Sequence, residues 1–507
     1  MIQGTGSHVG KSVIVAGLCR IFAQKGYRVA PFKSQNMALN SYVTRDGGEI
    51  GRAQAVQAQA VGIEPSVDMN PILLKPGGDS VAQVIVLGRP IGNMTAIDYH
   101  HFKGSLLDVA KTSLDHLRKD YDVVVIEGAG SPAEINLQDQ DIANMKIAEL
   151  AESPVILVGD IDKGGVFASF VGTLELLERR DRERIAGFII NKFRGDARLL
   201  DPALKFLEER TSQPVIGVVP YFENIFLEEE DGVSLERAPA NSSKGNAGDV
   251  EIAVIKVPHI SNFTDFDALA REERVALRYI FPSTELNHPD LVILPGSKST
   301  ISDLRYLWTT GLANKIIALA KEEVPIVGIC GGYQMLGRVI LDPCGAESKQ
   351  TEMKGLGLLD LVTKFEKDKT ICQVEAEVVA ERGILSRCRG MKVHGYEIHV
   401  GKPQPKLEPE VDNKEAFLIL KRGECPVVVK DGMIRQDGLI FGTYIHGLFE
   451  NDAFRKGFLD ALGEQKGLPP VKERLKTSHF REEQFNKLAE LLRRNLNLDL
   501  IENILET

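Results

Sequence analysis

An α/β protein of two tandem units with a helical C-terminal segment is what this chain of 507 residues predicts. Three observations carry the expectation. Short β-branched runs alternate with longer amphipathic stretches through residues 1–230, a stretch rich in Gly, Ser, Asn and Pro follows over 231–249, and a second strand–helix alternation occupies 250–452. Residues 453–507 are charged with helical periodicity and form the last segment.

Taken in order, a glycine-rich opening leads into a helix over Val13–Gln24 that Gly26 stops. Strands are expected at Tyr27–Phe32, Val81–Leu87, Asp122–Glu127, Pro154–Gly159, Ile185–Asn191 and Pro214–Val219, as a parallel sheet wrapped by helices. Ligands of open α/β sheets bind beyond the carboxyl ends of strands, which singles out Glu127, Asp160 and Asn191. The 231–249 stretch has linker chemistry. Strands of the second unit are Glu251–Val257, Asp290–Leu294, Pro325–Ile329 and Leu439–Thr443. Asp98–Gly104, with His100 and His101, reads as a loop because its Gly falls one position late for an Asp-x-His-x-x-Gly cobalt-ligating motif.

Composition excludes several classes of function. Hydrophobic residues at 43% and charged residues at 26% are the proportions of a soluble globular protein. Lys and Arg number 61 against 71 Asp and Glu, a net charge of −10, and a nucleic-acid partner needs the opposite field. No apolar run approaches the ~18 residues of a membrane span. The six Cys are scattered without a Cys-x-x-Cys pair, so neither a zinc cage nor a disulfide framework is expected, and a reducing, cytoplasmic compartment is. Met1-Ile-Gln-Gly4 lacks the basic and apolar regions of a signal peptide.

The first chemical constellation is a phosphate site. Gly4-Thr5-Gly6-Ser-His-Val-Gly10-Lys11-Ser12 has P-loop form, one residue longer than the commoner Gly-x4-Gly-Lys-Ser spacing. Glycines let backbone N–H groups wrap phosphate oxygens, Lys11 reaches the outer phosphates, and the Ser12 hydroxyl holds Mg²⁺. Glu127, closing a buried strand before Gly128-Ala-Gly130, is the expected second magnesium ligand, so that Lys11, Ser12 and Glu127 together bind MgATP. Asn191 is a candidate reader of the base, and Asp139 and Asp141 are candidates for orienting the acceptor or a second metal.

The second constellation is a thiol site. Cys330 stands between Val327-Gly-Ile329 and Gly331-Gly332, a strand-to-helix turn of the kind that exposes a nucleophile. His446, following the strand Leu439–Thr443, is the candidate base. Gly296, after Leu291–Leu294, and Gly331 are the candidate oxyanion donors.

The P-loop and the Glu127-Gly-Ala-Gly130 turn look like those of the dethiobiotin synthetase family, which implies phosphorylation of a carboxyl-type substrate by MgATP. The Cys330 and His446 segments resemble the class I glutamine amidotransferases, which implies attack of the thiol on the side-chain amide of glutamine and release of ammonia. That class carries Glu two residues after its His. Leu448 stands there in this chain, so a Cys–His dyad is expected, with Glu397 of His394-Gly-Tyr-Glu397-Ile-His399 as the candidate substitute. The whole chain, with Lys33-Ser-Gln-Asn-Met-Ala-Leu-Asn40, Glu127–Leu137 and Gly395–His399, resembles the cobyric acid synthase family of cobalamin-pathway amidotransferases. The resemblance implies a glutamine-hydrolysing, ATP-dependent amidoligase that amidates the b, d, e and g carboxylates of a corrinoid, adenosylcobyrinic acid a,c-diamide, to adenosylcobyric acid. ATP and Mg²⁺ are the implied cofactors, glutamine and the corrinoid the implied partners, and homo-oligomerisation stays open. The rivals are cobyrinic acid a,c-diamide synthase or another glutamine-dependent amidoligase, and a partitioning-type P-loop ATPase with an inactive amidotransferase scaffold.

Overall fold

A computed structural model describes residues 1–77, 81–228, 230, 249–404 and 413–506. The linker expected over 231–249 lies, apart from Asp249, outside the described residues.

In the N-terminal unit the strands Ile2–Gly4, Val155–Asp160, Ile185–Phe193 and Val215–Pro220 pair in parallel in that order. The parallel pair Val29–Phe32 and Val123–Ile126 joins the free side of Ile2–Gly4 through a bridge between Ile2 and Glu127. Every residue of Val155–Asp160 is buried, as a strand covered on both faces requires. This arrangement brings the P-loop, Glu127 and Asn191 to the same edge of the sheet.

Val81–Val86 does not join it. It belongs to a separate sheet with Gln35–Met37, Ile72–Pro76 and Arg89–Thr95, antiparallel to its neighbours on both sides. The reason is the connection: Leu87 and Gly88, at φ 45° and 74°, make a two-residue hairpin turn that can only return the chain antiparallel. Part of the segment expected as a loop at 98–104 is also helical. Thr95 caps the helix Ala96–Phe102, its Oγ1 accepting from the Asp98 N–H at 3.2 Å.

The C-terminal unit has a parallel core of Val275–Ile280, Val250–Ile255, Leu291–Leu294, Ile326–Ile329 and Ile440–Thr443. Long antiparallel strands, among them Val362–Val378 and Lys392–Gln404, extend the sheet. The helix Asp452–Gln465 buries Phe454 and Phe458 in this unit. The helices Thr477–Asn495 and Leu498–Glu506 instead return to the N-terminal unit. Leu488, Leu492 and Ile501 there share a core with Ile14, Leu18 and Ile21 of the P-loop helix Lys11–Gln24. The crossing is close enough that a Cβ on Gly17 would collide with Leu492. Among the described residues no helix is long and apolar enough to cross a membrane.

Candidate active site

Two sites form at strand ends, one in each unit. In the first, Gly10 opens the helix Lys11–Gln24 at φ 102°, where a Cβ would strike the Asn191 amide. The Lys11 ammonium donates to the carbonyls of Gly6 at 2.8 Å and Gly130 at 3.0 Å, tying the P-loop to the glycine turn after Glu127. The Ser12 hydroxyl donates to Glu127 Oε1 at 2.8 Å. Glu127 is buried and also receives Lys33 Nζ at 2.8 Å and Gln57 Nε2 at 2.6 Å. Burial pushes its carboxyl up, but the Lys33 charge and these hydrogen bonds outweigh burial and hold it below the ordinary range, so it is ionised.

Asn191 Nδ2 donates to Val9 O at 2.8 Å, while its buried Oδ1 has no partner among the described residues. The amide therefore braces the P-loop with one end and offers an acceptor with the other. Asp160 at the neighbouring strand end receives Lys192 Nζ at 2.8 Å, and that ammonium also reaches His8 O at 2.6 Å.

The other two candidate acids of this unit lie elsewhere. Asp139 is exposed on the turn Ile135–Gln140. Asp141 accepts from the N–H groups of Ala143 at 2.8 Å, Asn144 at 2.9 Å and Lys146 at 3.1 Å. Asn144 in turn grips Ala129 N–H at 3.0 Å and Ala129 O at 2.6 Å, so Asp141 shapes the loop that carries the Glu127 turn.

In the second site the strand Ile326–Ile329 delivers Cys330 in a left-handed conformation, φ 50° and ψ −107°, before the short helix Gly331–Leu336. A non-glycine residue in that region is strained, and the surroundings hold it there. Cys330 N–H donates to Thr443 O at 2.8 Å, and a Cβ at Gly332 would collide with the Leu294 carbonyl. Sγ lies 3.3 Å from Ile398 O. His446 lines the same cavity. The backbones of both oxyanion candidates run against it, since a Cβ on Gly296 would lie 3.0 Å from His446 Cε1 and one on Gly331 2.9 Å from the Ser297 nitrogen.

The expected dyad is corrected by a third residue. Asp265 Oδ2 lies 2.7 Å from His446 Nδ1, both side chains being buried, and Asp265 Oδ1 accepts the Gly447 N–H at 2.9 Å. Burial alone would lower the imidazole pKa, but the charges of Asp265 and Cys330 and hydrogen bonds to both raise it to about 10. Glu397 does not reach His446. It forms a bidentate pair with Arg422 at 2.9 and 3.1 Å and takes the Cys372 thiol at 3.3 Å. Its neighbour Tyr396 is the residue that meets the histidine, ring stacked on ring at 5.3 Å between centroids. Successive strand residues face opposite ways, so Tyr396 against His446 turns Glu397 away.

The N-terminal unit grips this second site. The Tyr396 hydroxyl accepts from Arg52 at 2.6 Å and Asn262 at 2.9 Å, and Asn40 Oδ1 accepts the Phe263 N–H at 3.1 Å, on the turn Phe263–Phe266 that carries Asp265. Arg52 begins the helix Arg52–Ala60, whose Gln57 touches Glu127, so one short helix contacts both sites.

The sequence matches the CobQ/CobB/MinD/ParA nucleotide binding domain over residues 1–235 and the CobB/CobQ-like glutamine amidotransferase domain over 251–454. A protein of Dehalococcoides mccartyi named cobyric acid synthase is 51% identical over 507 residues, covering 100% of this chain and 98% of that one. Proteins of the same name from Desulfitobacterium hafniense and a Thermoanaerobacter species are each 50% identical, over 99% and 100% of this chain and 96% and 98% of theirs.

Proposed function

The chain belongs to the cobyric acid synthase family, and from that premise we propose that it amidates the b, d, e and g carboxylates of adenosylcobyrinic acid a,c-diamide, consuming one ATP and one glutamine for each. The observation that carries this reading is the coexistence, across one interface, of Cys330–His446–Asp265 and Lys11–Ser12–Glu127.

At the thiol site the Cys330 proton passes to His446, whose raised pKa keeps it there, and Sγ then adds to the side-chain carbonyl carbon of glutamine. The N–H groups of Gly296 and Gly331 are assigned to the resulting oxyanion. His446 passes the proton to the departing nitrogen, ammonia leaves, and water cleaves the thioester to glutamate and free thiol. Asp265 holds the imidazole with Nδ1 toward itself, so that Nε2 faces the sulfur. At the P-loop site the γ-phosphoryl group of ATP passes to a corrinoid carboxylate, giving an acyl phosphate and ADP. Ammonia attacks the acyl carbon and inorganic phosphate leaves. Lys11 is assigned to the charge on the transferring phosphoryl group and Asn191 Oδ1 to the base.

Magnesium fits the residues present. Ser12 Oγ and Glu127 Oε1 are hard oxygen donors 2.8 Å apart. Bound there with phosphate oxygens, it would supply charge neutralisation at the outer phosphates.

The test is amidation of the a,c-diamide with each nitrogen donor. Cys330→Ala is expected to abolish the glutamine-dependent reaction and leave the ammonium-dependent one largely intact, with His446→Ala behaving alike. Retained glutamine-dependent turnover in Cys330→Ala would refute the nucleophile, and preference for cobyrinic acid over its a,c-diamide would move the enzyme to the earlier amidation.

A further inference from the structure

The cavity in front of Cys330 carries more positive charge than its own carboxylates answer. It is lined by Lys298 and Lys369 of the C-terminal unit, by Lys75 of the N-terminal unit, and by one acid, Glu347. Behind it the buried Glu49 is shared between two of these ammonium groups, Lys75 at 2.8 Å and Lys369 at 2.6 Å. Lys75 also donates to Ser41 Oγ at 3.0 Å and Lys369 to Gln83 Oε1 at 3.2 Å, so both are anchored.

Lys298 differs from them. Among the described residues its ammonium makes no hydrogen bond or ion pair, and Glu347 acts on it only through space. Burial and the charges of Lys369 and Lys75 press it down to about 8. Glu347, whose Oε1 accepts the Ile301 N–H at 2.8 Å, is pushed up to about 7 by burial. An ammonium with no hydrogen-bonded anion and a carboxyl with no hydrogen-bonded cation, in one cavity with a nucleophile, complement an α-amino acid head group.

We propose that Lys298 binds the α-carboxylate of the glutamine whose side-chain amide meets Cys330, within a field that Lys75 of the N-terminal unit helps to set. The proposal rests on the reading of Cys330 as the glutaminase nucleophile. It makes the amino-acid subsite a joint product of the two units, because the Lys75–Glu49–Lys369 group spans them.

The test is steady-state glutamine hydrolysis by the full-length enzyme and Lys298→Met, with ammonium-dependent amidation as a control for folding. Removing a charged hydrogen-bond partner is expected to raise KM for glutamine about ten- to a hundredfold while kcat changes by no more than about threefold, with Lys298→Arg recovering part of the loss. A second measurement uses two truncated substrates: glutaramate, which keeps the carboxylate, and 4-aminobutanamide, which keeps only the amine. The wild type is expected to prefer glutaramate, and Lys298→Met to lose that preference. An unchanged KM in Lys298→Met, or a wild type that hydrolyses both analogues equally, overturns the subsite. Glutamine hydrolysis surviving in Cys330→Ala overturns the nucleophile instead.

Discussion

The residue that meets His446 Nδ1 is Asp265, 181 positions upstream. A carboxylate on Nδ1 fixes the tautomer and stabilises the imidazolium that forms when the thiol loses its proton. Asp265→Asn is expected to lower glutaminase kcat by about two to four orders of magnitude without changing ammonium-dependent amidation. Glu397→Gln, which disturbs its contacts with Arg422, Cys372 and His399 and none with His446, should stay within about fivefold of wild type in the same assay. The histidine also has a pH signature. Its folded pKa of about 10 lies above the ordinary 6.5, so its contribution to stability is complete below pH 6.5 and falls away as the pH rises toward 10. Thermal unfolding across that window should show the wild type losing stability relative to His446→Gln. The histidine and cysteine were legible because each stands in a short motif at a strand end. Asp265 was not, since nothing in Phe263-Thr-Asp265-Phe marks its pairing, although its place after the strand Val250–Ile255 is where such residues collect.

Among the elements, the P-loop helix Lys11–Gln24 depends on a partner from the far end of the chain. Leu488 and Leu492 of Thr477–Asn495 press against Gly17, where no side chain fits. Gly17→Val should cost about 1–3 kcal/mol through overpacking and lower the melting temperature, with nucleotide binding weakened in titration because the helix carries Lys11 and Ser12. The helix itself was readable from the glycine-rich start and the stop at Gly26. The hairpin Val81–Thr95 was not, because its β-branched run has the composition of a parallel strand, and only the two-residue turn at Leu87-Gly88 sets its direction. The helix Arg52–Ala60 was likewise invisible as a connector. Apart from Arg52 and Val56 its sequence is Ala and Gln, yet it touches Glu127 through Gln57 and Tyr396 through Arg52.

At the scale of the whole molecule the two sites are separable in chemistry and joined in structure. Lys11→Ala should abolish amidation with glutamine and with ammonium alike, since the phosphoryl-transfer half fails whichever donor supplies nitrogen. Hydrolysis of glutamine at Cys330 should persist in that variant, and a normal ammonium-dependent rate would refute the P-loop reading. The sequence by itself determined the two motifs and their order along the chain. A P-loop and a cysteine elbow are written in fewer than a dozen consecutive residues each, and local backbone geometry requires those residues at that spacing. Tertiary structure alone decided which acid serves His446, how Glu397 faces, and which lysines of which unit surround the thiol. Those outcomes follow from strand register and domain docking, which set the contacts of residues hundreds of positions apart and leave no local periodicity behind.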